Sequence, residues 1–271
     1  MAHNQALLAF GVKSGQSNGV QEYHDYGLWF IVIFGVVTIP MLLFIAAPYG
    51  RHMRKGWGPD MSARLGWVIM EAPSPLGFAY VWFTYGGLDA PIAAWILFAL
   101  WQIHYIYRSF IYPFRLRGTG KRSAILTVIM AIIFNLANGP INAYALVELA
   151  PHLTDAWLTD PRFLIGLVIF CAGFMINHQS DAILRNLRKP GESGYKIPHG
   201  GLYRWVTSPN YFGEIIEWTG YAIAAFTPAA AAFAFFTAAN LMPRARSHHA
   251  WYLEKFPDYP KTRRAVIPGV F

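Results

Sequence analysis

Residues 177–218 read NHQSDAILRNLRKPGESGYKIPHGGLYRWVTSPNYFGEIIEW. The stretch begins where one apolar run (162–176) ends and finishes inside the next. Asp181, Arg185, Arg188, Lys189, Glu192, Lys196 and Arg204 lie between those walls. A long cationic insert set between greasy segments predicts a membrane protein with an anion-binding site at its surface.

Composition extends this outward to the whole chain. Of its 271 residues, 55% are hydrophobic and 13% charged, and mean hydropathy is +0.31. Soluble domains carry about 25% charged residues, so several long apolar runs at half that density predict a multi-pass membrane protein. Met1 to Tyr26 is polar, with no basic–apolar–small pattern, so no cleaved signal peptide is expected. Cys171 is the one cysteine, which excludes an internal disulfide and a cysteine-based metal site. The net charge of +8 raises the question of nucleic acid. Its lysines and arginines cluster in loops beside apolar spans, where the positive-inside rule accounts for them. Lipid headgroups or a phosphate-bearing small molecule are the expected partners; nucleic acid is not.

Apolar runs predict an all-α fold with seven transmembrane helices at about 27–47, 65–84, 90–112, 123–147, 162–177, 211–226 and 229–243. Glu71, Pro73 and Pro75 predict a kink or break in the second. Loops 48–64, 114–122, 178–210 and the tail are basic. The loops near Asp89, at 148–161 and at Thr227 are acidic or neutral. This alternation predicts an N-terminus outside and a C-terminus in the cytoplasm. Residues 1–26 form a polar N-terminal segment and 27–271 a single membrane domain.

Lipid offers no hydrogen bonds, so polar groups inside a span must face a partner, a cavity or water. Several spans carry them at one-face spacing. These stripes are Arg64, Trp67 and Glu71; Trp101, Tyr105, Arg108 and Tyr112; and Asn135, Asn138 and Asn142. Three more follow: Asn177, Asp181 and Arg185; Asn210, Glu214, Glu217 and Tyr221; Arg244, His248 and Tyr252. All but the asparagine stripe lie toward the cytoplasmic ends, which predicts a shared polar cavity opening there. Interhelical glue, at roughly 0.6–2 kcal/mol per contact, is the expected role of any single asparagine. Glu71 is too deep for that reading. Glu214 and Glu217 are expected to pair with arginines of the insert. Cys171, Met130 and the phenylalanines of 232–236 are expected to pack or face lipid.

Other motifs fail on inspection. Residues 118–123 (GTGKRS) lack the first glycine of a phosphate loop and follow no strand. Glu214-x-x-Glu217 has no accompanying Glu-x-x-His, and His248-His249 is an isolated pair, so no metal is expected.

The run SDAILRNLRKPGESGYKIPHGGLYRWVTSPNYFGEIIEWTGYA, the ending YLEKFPDYPKTRRAVIPGVF, and the upstream ARLGWVIMEAPSP and HYIYRSFIYPFRLRG closely resemble the steroid 5α-reductase family (3-oxo-5α-steroid 4-dehydrogenases). The chain departs from its human members at Met70, where they usually have Gln, and in the loop after Tyr112. The resemblance implies NADPH-dependent reduction of the 4,5 double bond of a 3-oxo-4-ene steroid, by hydride transfer to C5. It assigns Glu71 and Tyr105 to the substrate's 3-keto oxygen. Tyr49, Trp67, Arg108, Tyr112, Asn177, Asp181, Arg188, Tyr195, Asn210, Glu214, Arg244, His248 and Tyr252 are implied at the cofactor, whose half of the domain is about 162–271. An apolar substrate reaching a monomer from the lipid of a bacterial inner membrane or the endoplasmic reticulum fits this picture. A trans-2-enoyl-CoA or other membrane enone reductase, a membrane methyltransferase and a proton-coupled transporter are the alternatives.

Overall fold

The computed structural model describes residues 14–46, 52, 56–116, 121–188, 192 and 194–271, with side chains from residue 19 onward. Tyr49, the first half of the GTGKRS motif (118–120), and Lys189 fall outside the described residues. The chain is mostly helical. Among the described residues three stretches are long and apolar enough to cross a membrane: Gly19–Phe44, Ile125–Glu148 and Pro161–Asn186. Large apolar side chains such as Trp29, Phe44, Leu76 and Val168 point outward, where only lipid makes them comfortable. The molecule is a helical membrane protein.

The first helix, α1 (Ser14–Phe44), carries Pro40 within it. The second expected span is divided into α2 (Ala63–Glu71) and α3 (Pro73–Thr84). Pro73 has no N–H to continue the ladder, yet Ala72 keeps right-handed helical angles, so the two pieces run on with a fault between them. Asn135 donates to the Met70 carbonyl beside that fault at 2.7 Å. The third span, α4 (Ile92–Ile106), passes through a π-helical turn (Tyr107–Ile111) into the short α5 (Tyr112–Arg115). Pro113 explains the widened turn, because its ring has no donor for the carbonyl four residues back and crowds it. Such turns often mark functional positions, and this one carries Arg108.

A two-stranded antiparallel ladder departs from the purely helical expectation. Strand β1 (Asp60–Ser62) pairs with β2 (Arg122–Ala124), Asp60 opposite Ala124. It ties together two segments that the sequence presents only as basic loops. Helix α6 (Ile125–Glu148) follows directly.

Helices α7 (Pro161–Asn186) and α8 (Pro209–Ala225) form the closest pair in the bundle. Glycines seven apart on each make this possible. A Cβ on Gly173 would lie 2.3 Å from the Glu217 nitrogen, and one on Gly213 would lie 2.5 Å from that of Asn177. Small residues let helix backbones touch in this way, and the contact fixes Asn177 and Asp181 against the Asn210–Glu217 face. Helix α7 runs to Asn186, so Asp181 and Arg185 belong to the helix rather than to a loop beginning at 178.

The last helix, α9 (Pro228–Lys255), continues well past 243. Arg244, His248 and Tyr252 are therefore helical, as their spacing requires. The tail returns to the body through a parallel bridge between Val206 and Arg264. The aromatic core gathers around Trp101, whose ring centroid is 5.2 Å from that of Trp218 and 5.3 Å from that of Phe233. One turn further along α4, Tyr105 packs its ring on this core, 5.0 Å from that of Trp101, and lines a cavity beside it.

Candidate active site

A cavity of about 320 Å³ lies among α1, α2, α4, α6, α8 and α9. Phe34, Met130, Phe134, Phe233 and Phe236 give it an apolar wall. Glu71, His104, Tyr105, Arg108, Glu214 and Arg244 give it a polar one. A concave, mostly apolar space with a few convergent polar groups is the usual form of a small-molecule site.

Glu71 stands at the last residue of α2, immediately before the proline fault, and Tyr105 on the buried face of α4. The asparagine stripe of α6 reaches both. Asn135 donates to Glu71 Oε2 at 3.5 Å, and Asn138 to the Tyr105 hydroxyl at 3.4 Å. Asn142 in turn donates to Asn138 Oδ1 at 3.1 Å. The asparagines do join helices, and two of their partners are the proposed catalytic groups. A carboxyl and a phenol that share one cavity, each oriented by an amide, can hold an oxygen on which negative charge develops.

A second cluster centres on Arg108. Its guanidinium lies 3.7 Å from Asp181 and 3.9 Å from Glu214, and 4.7 and 4.8 Å from the ring centroids of Trp67 and Tyr112. Asn177 donates to the Asn210 carbonyl at 2.9 Å and to Glu214 at 3.3 Å. Asn210 donates to Asp181 at 3.2 Å. Arg244 donates to the Tyr211 hydroxyl at 3.1 Å and to Asn240 at 3.2 Å, while His248 packs its ring 5.4 Å from that of Tyr211.

Of the residues implied at the cofactor, Trp67, Arg108, Glu214 and Arg244 line the cavity; Tyr112, Asn177, Asp181, Asn210 and His248 stand behind them, and Arg188, Tyr195 and Tyr252 lie apart from that cluster. Tyr252 is buried among aromatic rings of the C-terminal region, its centroid 5.1 Å from that of Tyr259. Tyr195 packs on Trp251 at 4.8 Å, with the Arg188 guanidinium 5.8 Å from its ring.

Two expectations are corrected. Among the described residues neither Glu214 nor Glu217 pairs with an arginine of the insert: Glu214 lies 3.9 Å from Arg108, and Glu217 Oε1 is 2.6 Å from His104 Nδ1, with both His104 and Glu217 side chains buried. Apolarity made Met130 and two of the 232–236 phenylalanines look like packing or lipid-facing residues, yet Met130, Phe233 and Phe236 line the cavity. His104 went unselected although it follows Trp101 by three and precedes Arg108 by four, the spacing of that same stripe.

Comparison with known proteins agrees with these features. The family model described as 3-oxo-5-alpha-steroid 4-dehydrogenase matches residues 121–271. The chain is similar to 3-oxo-5-alpha-steroid 4-dehydrogenase 1 of Homo sapiens, at 48% identity over 227 residues, 82% of this chain and 86% of the relative. It is also similar to steroid 5-alpha-reductase DET2 of Arabidopsis thaliana, at 41% identity over 257 residues, 93% of this chain and 98% of the relative. More than half of the chain is matched by the family and nearly all of it by its relatives, so it belongs to the 3-oxo-5α-steroid 4-dehydrogenase (steroid 5α-reductase) family of oxidoreductases acting on CH–CH groups.

Proposed function

We propose that this enzyme reduces the 4,5 double bond of a 3-oxo-4-ene steroid to the 5α-3-oxo product, with NADPH as reductant. The observation that carries the reading is that Glu71 and Tyr105 line one cavity whose remaining lining is largely apolar. A steroid offers a flat hydrocarbon body to such a lining and a single carbonyl oxygen to such a pair. Conjugate reduction delivers hydride to C5, and charge then builds on the 3-oxygen. The Tyr105 hydroxyl donates one hydrogen bond to that oxygen and protonated Glu71 a second.

The residues around Arg108 suit a dinucleotide phosphate. Arg108 and Arg244 both face the cavity, with aromatic rings at Trp67, Tyr112 and Tyr211 and amides at Asn177, Asn210 and Asn240 beside them. That set offers charge to phosphates, ring faces for stacking and polar partners for an amide. NADPH, when bound, supplies the hydride. Arg108 and Arg244 would hold its anionic groups, and the buried cavity would keep water from the reacting carbons. The surplus of cations favours NADPH over NADH.

The reading carries the seven spans with it, the N-terminus outside and the Arg108 end toward the cytoplasm, and a substrate that arrives from lipid. Purified protein is expected to consume NADPH when given 4-ene-3-keto steroids, and to do so faster than with NADH. Absence of turnover across a panel of such steroids, alongside turnover of enoyl thioesters, would replace this substrate class. An NADH preference would move the 2′-phosphate away from these arginines.

A further inference from the structure

The His104–Glu217 pair has no part in the chemistry described so far, yet among the described residues it is the most deeply buried pairing of an acid with a base. Glu217 is fully buried and His104 nearly so, and Nδ1 to Oε1 is 2.6 Å. The imidazole is wedged between two rings, 5.0 Å from Tyr105 and 4.7 Å from Trp218, so it has one orientation. Its Nδ1 edge faces Glu217, and His104 itself lines the cavity beside Tyr105. Glu217 Oε2 is buried without a hydrogen-bond partner among the described residues. Arg108, a cation on the same wall, is matched by Asp181 and Glu214.

Proton counting fixes what the free edge presents. Before turnover so buried a pair rests at net zero charge, because an uncompensated buried ion costs several kcal/mol, and any charge it acquires is short-lived. Two arrangements satisfy that condition without stranding a proton on the partnerless Oε2. Carboxylate with imidazolium protonates both ring nitrogens. Carboxylic acid with neutral imidazole puts the acid's proton toward Nδ1, which leaves the ring's own hydrogen on Nε2. Either way Nε2–H is the edge left for the cavity.

We propose that His104 is the proton donor that completes the reduction, with Glu217 as its positioning residue. This rests on the steroid-reductase reading above and deepens it. Hydride from NADPH forms the C5–H bond, and the electron pair of the former double bond becomes the enolate held by Tyr105 and Glu71. That pair then takes the proton of His104 Nε2–H to form the C4–H bond. The His104–Glu217 pair is left with one negative charge and is reprotonated from solvent before the next turnover.

The test is the stereochemistry of the product made in D2O, read by NMR at C4, together with kcat. Wild-type protein is expected to place deuterium on a single face of C4. In His104→Gln, kcat falls by about a hundredfold, the lower end of general-acid catalysis, and deuterium appears on both faces because water now supplies it. Glu217→Gln keeps the shape and is expected to lower kcat by less while retaining some facial selectivity. NADPH binding and thermal unfolding report whether each variant is folded. A purely structural role would lower stability without changing the C4 stereochemistry. Single-face labelling in folded His104→Gln overturns the proposal while leaving the reductase reading intact. Wild-type protein that turns over no 4-ene-3-keto steroid overturns both.

Discussion

The two ends of the cavity are held by different chemistry. Around Glu71 and Tyr105 the neighbours are the neutral amides of Asn135 and Asn138, at 3.5 and 3.4 Å. Around Arg108 they are the formal charges of Asp181 and Glu214, at 3.7 and 3.9 Å. An amide orients a carboxyl or a phenol without dictating its charge, whereas a guanidinium demands carboxylates. One end is thus arranged to respond to charge that appears during a reaction. The other is arranged around charge that is always there, and it suits a ligand that carries its own.

If that distinction holds, the ionic end bears more of the fold. Arg108→Met leaves Asp181 and Glu214 buried without their cation, and losing one member of a buried ion cluster typically costs about 3–5 kcal/mol. Thermal unfolding in detergent is expected to show the largest drop of any single substitution named here. An unchanged midpoint would mean that other groups neutralise the two carboxylates.

The amide end should show the reverse pattern, with activity lost and the fold kept. Tyr105→Phe and Glu71→Gln each remove one donor to the developing oxyanion, at a cost of about 3 kcal/mol in the barrier, roughly a hundredfold in rate. Their unfolding midpoints and NADPH affinity are expected to stay near those of the parent. Normal turnover in both variants would remove the pair from the mechanism.

How these two ends came to be recognised differs as well. Spacing alone collected Trp67, Glu71, Tyr105, Arg108, Glu214 and Arg244, because helical periodicity projects buried polar groups onto one face and lipid forbids the other. The proline fault at Pro73 was equally legible. The π-turn at Tyr107–Ile111 was not, since Pro113 announces a disturbance without saying which backbone bond will stretch. The β1–β2 ladder escaped notice because three-residue strands carry too little alternation to stand out in a basic loop. Partner choice was the least visible property. Glu217 lies only three residues further from the cationic insert than Glu214, and the Gly173–Gly213 contact sets it beside His104 instead.

The amides themselves make the next, smaller test. Asn138→Ala frees the Tyr105 hydroxyl, and Asn135→Ala frees Glu71 and strips the Met70 carbonyl of its partner. A buried hydrogen bond of this kind contributes about 1 kcal/mol. Each variant is expected to lose several-fold in kcat with a small change in KM, and Asn135→Ala the more stability because it also opens the fault beside Pro73. Equal losses of activity and stability in Asn138→Ala would make that residue a packing element instead of an orienting one.

The smallest effect separates charge from burial. Arg122 donates to Asp60 Oδ1 at 2.8 and 3.0 Å and to the Asp60 carbonyl at 3.0 Å, joining β1 to β2 with better geometry than anything around Arg108. Both side chains are nevertheless about half exposed, at 50% and 43%, against 13% for Arg108 and 5% for Asp181. Water screens the exposed pair, so Arg122→Ala is expected to cost less than about 1 kcal/mol. Raising the salt concentration shortens the screening length from roughly 8 Å toward 3 Å. The Arg122→Ala penalty should therefore shrink, while that of Arg108→Met should hold. Unfolding both variants at low and high salt makes the comparison directly, because penalties that fade together would mean that water reaches the Arg108 cluster as freely as the strand ladder.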